Sequence, residues 1–154
     1  MNTTNDRPLA VLNGLIEATL DSAYGYREAA GDARNPAFKR LFEGRWLHRK
    51  QLTGDLQTQV RGLGGTPDAD GTMLAAARRV FFNLRHTMAG SDLGIVDEVE
   101  AAEDHVKARF EAALAGDELP PSAKGVVTRV HASVVADHDQ MRDLKHSLLA
   151  SAAL

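Results

Sequence analysis

The sequence predicts an all-helical chain folded as an antiparallel four-helix bundle, and three observations predict it. Apolar residues recur at three- and four-residue steps along four long stretches, which is the helical period rather than strand alternation. Proline, glycine and short polar residues punctuate the ends of those stretches. Alanine and leucine are abundant, and β-branched residues are sparse outside two Val-rich stretches. Apolar residues make up 44% and charged residues 25% of the 154 positions, a globular balance that fits one domain over residues 1–154.

The first helix is expected from about Pro8 to Ala30. Asp6 can cap it, Pro8 suits its first turn and Gly31 can end it. Its stripe is Leu9, Leu12, Ile16, Ala23 and Ala30, flanked by Leu15, Leu20 and Tyr26. The second starts at Asn35-Pro36, a cap followed by proline in the first turn, and runs to about Gly62. Phe38, Leu41, Phe42, Leu52, Leu56, Val60 and Leu63 form its stripe. The middle of that stripe is polar: Arg45 and Arg49 stand where apolar residues belong, with His48 at the edge.

A shorter helix is expected from about Thr72 to Ala89, with the seam Leu74, Ala77, Phe81, Leu84 and Met88. Its apolar seam needs a bundle surface to cover, and Trp46 is the candidate floor. The next long helix spans about Asp92 to Ala115 behind a Ser91 or Asp92 cap, and it turns Ile95, Val99, Ala102, Val106, Phe110 and Ala113 inward. The last spans about Pro121 to Leu149, with Val126, Val130, Val134, Met141, Leu144 and Leu148 inward.

The four long helices are roughly 23–29 residues each, or ~35–43 Å at 1.5 Å per residue. Short connections join the first pair and the last pair. A long crossover carrying the short extra helix separates the pairs, which is the ferritin-like connection.

Several motifs also resemble a small bacterial family described as ferritin-like four-helix-bundle proteins of unknown function. They are Leu12-Asn13-Gly14-Leu15-Ile16-Glu17, Tyr26-Arg27-Glu28-Ala29-Ala30, Leu63-Gly64-Gly65-Thr66-Pro67, Asp97 to Asp104, Leu119-Pro120-Pro121 and His138 to Arg142. The resemblance implies the fold, an intracellular bacterial setting and a stress-related role; it implies no reaction.

Composition narrows the chemistry. The absence of cysteine excludes disulfides, zinc fingers, Cys-ligated clusters and thiol catalysis. The polar stretch from Met1 to Arg7 lacks an apolar signal core, and no apolar run is long enough for a membrane span. The expected location is the cytoplasm, with no membrane partner. The net charge of −3 gives no global pull toward nucleic acid. The basic stretch Lys39-Arg40…Arg45…His48-Arg49-Lys50 would suit a DNA-associated relative of the ferritins. However, helical phase turns Arg45 and Arg49 inward, so a solvated face is the preferred reading.

A di-iron or di-manganese centre in such a bundle takes one Glu from each of two helices and Glu-x-x-His from each of the other two. The sequence contains no Glu-x-x-His. Phase leaves three candidate metal ligands, Glu17, Glu103 and His138. Against them, a buried arginine must be paired, and Arg45 and Arg49 are placed to pair with Glu98, Glu103 or Asp137. The expected interior is therefore an ion-pair network with no cofactor, and iron or manganese is the alternative. His131 lines up with His138 two turns apart on one flank of the last helix, and His48, His86, His105 and His146 read as surface or boundary residues. Val11, Leu47 and Val135 fall outside the apolar stripes and suggest a homodimer surface.

Overall fold

The computed structural model describes residues 5–68 and 91–152. They form four helices: α1, Asp6–Asp32; α2, Pro36–Gly62; α3, Asp92–Ala115; and α4, Pro121–Ala152. There is no strand among the described residues. The expected crossover helix from Thr72 to Ala89 lies outside them, and so does His86. No described helix is long and apolar enough to cross a membrane.

The caps explain most of the boundaries. Asn35 accepts the Ala37 N–H at 2.8 Å ahead of Pro36, and Ser91 accepts the Gly94 N–H at 3.0 Å. At the end of α2, Gly64 takes a left-handed φ of 81°, which glycine adopts without steric cost. The ends of α1 differ from expectation. The helix begins at Asp6, so Asp6 is a first-turn carboxylate near the positive helix end rather than a cap. Asn5 occupies the cap position, but its amide donates to the Leu63 carbonyl at 3.1 Å. The helix also continues past Gly31 until the Ala33 N–H closes on the Ala29 carbonyl. Lys39 Nζ reaches the Ala30 and Gly31 carbonyls there, which supplies the cation that favours a helix C-terminus.

The helices pack as a bundle: α1 on α2, α3 on α4, α1 on α3 and α2 on α4. Two apolar cores result. One gathers Leu12, Ile16, Leu56, Val60, Phe110, Val130 and Val134 among others; the second gathers Tyr26, Phe42, Val96, Val99 and Met141. Ile95 on α3 and Val126 on α4, expected inward, lie at the core margins, and their neighbours Val96 and Val127 are buried instead. The sequence segments between the two cores contribute Ser22, Arg45, Arg49 and Glu103, all buried.

Candidate functional site

Arg49 is 0% exposed and is the largest fully buried side chain among the described residues. Its guanidinium is met from each of the three other helices. Nη1 donates to Ser22 Oγ on α1, and Nη2 reaches Glu103 Oε2 on α3 at 2.6 Å and Asp137 Oδ2 on α4 at 3.0 Å. Ser22 Oγ in turn donates to Glu103 Oε1 at 3.3 Å. One turn earlier on α2, Arg45 Nη1 lies 3.2 Å from Asp137 Oδ1 and donates to the Tyr26 hydroxyl at 3.3 Å, and Nη2 donates to Gln140 Oε1. Both guanidinium carbons lie 5.5 Å from the centre of the Tyr26 ring, within cation–π range.

A charge this deep must be paired, and the planar fork of arginine suits two carboxylates at once. Burial alone would favour neutral Arg49, but the Glu103 and Asp137 carboxylates outweigh it and hold the guanidinium charged. Burial likewise drives the Tyr26 hydroxyl well above its ordinary range, reinforced by Glu103, so Tyr26 stays protonated. Beside the network, Ser22, Gly25, Tyr26, Val99, Ala102 and Glu103 line a cavity of about 10 Å³. That is room for one water at most.

The three candidate ligands sit with three different sets of partners. Glu103 belongs to Arg49 and Ser22. Glu17 lies at the α1 surface with its carboxyl hydrogen-bonded to Asp68; burial first, and then that neighbour, raises its pKa. His138 is buried on α4 and faces α3, where Nε2 meets Asp104 Oδ1, while Nδ1 lies 3.1 Å from Asp139 Oδ1. Burial works against the charged ring, but the bonds to Asp139 and Asp104 prevail and raise its pKa. The expected arginine pairing with Glu103 and Asp137 is present.

A second cluster lies on the α3–α4 flank. Ligand atoms of Glu100, Asp104 and His138 come within 4.8 Å of one another. Glu100 also takes Lys145 Nζ at 3.0 Å, and that ammonium lies 2.7 Å from Asp97. Sequence reasoning found His138 but missed Glu100 and Asp104. Their four-residue spacing puts both carboxylates on one face of α3, which was legible; that His138 meets them depends on the α3–α4 register, which was not.

Residues 7–116 match the model of a family described as "Domain of unknown function (DUF2383)". The chain belongs to this family. The DUF2383 match spans nearly all of α1 and the whole of α2 and α3, so Ser22, Tyr26, Arg45, Arg49, Glu100, Glu103 and Asp104 lie inside it. Asp137, His138 and Gln140 lie on α4, beyond the DUF2383 span. No curated protein matches the sequence.

Proposed function

We propose that this protein is a non-enzymatic, ferritin-like bundle that serves as an interaction module in a stress-related, cytoplasmic bacterial setting. The observation that carries the reading is Arg49, fully buried where such bundles hold their metals and paired to Glu103 and Asp137. A fixed cation there repels a divalent ion, more strongly at low effective dielectric. The neighbouring cavity of about 10 Å³ has no room for a substrate.

The antiparallel, ferritin-like arrangement is supported by the order of contacts. Ser22 meets Glu103 and Gly14 meets Arg109; Asp55 meets Arg129 and Arg49 meets Asp137; Glu111 meets His131 and Glu100 meets Lys145. In each pair of helices the numbers rise along one and fall along the other. Leu63 lies by Asn5 while Asp92 lies by Arg34, so the connection from α2 to α3 has the length of the bundle to cross. The motif resemblance supports the bacterial and stress-related setting.

The homodimer belongs to the same reading. Leu47 on α2 is 55% exposed and is its candidate centre, whereas Val11 is partly buried against the core. The rival reading, an iron or manganese centre on Glu17, Glu103 and His138, requires Glu103 to leave Arg49 and His138 to leave Asp104.

Elemental analysis of gently purified protein with a ferroxidase assay tests the proposal. The expected result is no stoichiometric iron or manganese and no oxidation of ferrous iron. Stoichiometric iron that is lost in Glu103→Ala would overturn it. Light scattering at high micromolar concentration should give twice the chain mass; a monomer would remove the dimer.

A further inference from the structure

The α3–α4 flank holds a histidine ring that neutral imidazole between two carboxylates cannot satisfy on both sides. His138 is 8% exposed, so its ring is fixed by packing. Both ring nitrogens face carboxylate oxygens, Nδ1 toward Asp139 and Nε2 toward Asp104. Neutral imidazole has one N–H and one lone pair. If Nδ1–H is donated to Asp139, the bare Nε2 lone pair confronts an Asp104 oxygen, acceptor against acceptor. A proton resolves that conflict in the metal-free protein. A metal ion resolves it as well, and the third ligand is in place: Glu100 lies four residues before Asp104 on the same face of α3, within the same 4.8 Å group.

We propose that Glu100, Asp104 and His138 form a mononuclear site for a divalent cation of the zinc class, separate from the interior arginine network. Two carboxylate oxygens and one imidazole nitrogen are the donors this class accepts, and three protein ligands leave a position for water. The imidazole selects against magnesium and calcium, which take oxygen donors. Tetrahedral bonds of about 2.0–2.1 Å place ligand atoms about 3.3 Å from one another, so side-chain rotation must open the close Asp104–His138 pair to admit the ion between them. Asp139 plays the outer part, holding Nδ1–H so that Nε2 points at the ion. Lys145 is the competitor, since its ammonium already neutralises Glu100.

The test titrates the chelator-treated full-length chain with zinc chloride, with magnesium chloride as comparison, by calorimetry. One zinc per chain with a micromolar or tighter Kd is expected, and no saturable magnesium. Asp104→Asn removes an exposed ligand without touching the core and should weaken zinc by more than tenfold, as should His138→Gln. Asp139→Asn should cost roughly tenfold, the usual effect of an outer-shell partner. Asp143→Asn, an exposed acid on the same helix and outside the cluster, should bind as the parent does. No saturable zinc, undiminished binding in Asp104→Asn, or equal weakening in Asp143→Asn would each overturn the site. None of these outcomes bears on Arg49, whose partners are untouched by the variants.

Discussion

Arg49 shows how one side chain can be both misplaced and required. It stands on an apolar stripe, yet its Nη1 and Nη2 meet acceptors, its face meets the Tyr26 ring, and Nε alone has no hydrogen-bond partner. Arg49→Leu leaves Glu103 buried with its charge unanswered and should destabilise the fold by about 3–5 kcal/mol in urea unfolding. Arg49→Leu combined with Glu103→Leu should recover part of that loss, because the uncompensated charge leaves with the second substitution. Asp21 makes a separate prediction. Burial pushes its carboxyl up to about 6 from 3.8, with Arg109 and His105 pulling the other way. The folded state therefore holds the proton more tightly than the unfolded chain. The associated stability is fully present below about 3.8 and disappears as pH rises through about 6. Asp21→Asn, permanently neutral, should melt higher than the parent at pH 7.5 and nearly level with it at pH 3.5; a constant gap at both would contradict the assignment. Arg45 and Arg49 were legible in the sequence because two cations interrupt a hydrophobic period. Asp21 was not, since its environment comes from α3.

The helix ends divide in the same way. Asn35-Pro36 and Ser91 were legible because a cap is a local bond between a side chain and the backbone N–H two or three residues on. The ends of α1 were hidden because Asn5 is drawn to Leu63, just past the end of α2, and Lys39 of α2 covers the Ala30 and Gly31 carbonyls. Asp92 joins elements more directly. Its two oxygens accept the Arg34 and Asn35 N–H groups at 2.8 and 3.0 Å, tying the α1–α2 turn to the first turn of α3. Asp92→Ala should lower stability by about 1–2 kcal/mol through the loss of two charge-assisted bonds, read as a drop in melting temperature. An unchanged melting temperature would mean that solvent replaces them freely. Gly64→Ala forces a β-carbon into a left-handed turn and should cost about 1 kcal/mol by the same measurement.

At the scale of the whole molecule, the fold class was legible from period and punctuation alone, while the interhelical register was not. Register decides which carboxylate reaches which cation, so Asp137 and His138, neighbours on α4, serve different clusters. Because Arg49 on α2 bonds to residues of α1, α3 and α4, the two helical pairs should unfold together. Far-UV circular dichroism and the fluorescence of Trp46, the only tryptophan, should give coincident urea transitions. Two separated transitions would show that the pairs are independent. The same feature bears on synthesis. Arg49 leaves the ribosome 54 residues ahead of Glu103 and 88 ahead of Asp137, or roughly 3–18 s at common elongation rates. Through that interval the nascent α1–α2 pair carries two unanswered cations on the side it must later bury. It cannot collapse on itself without desolvating them, so the newborn half stays open and wetted until the second half arrives to close it.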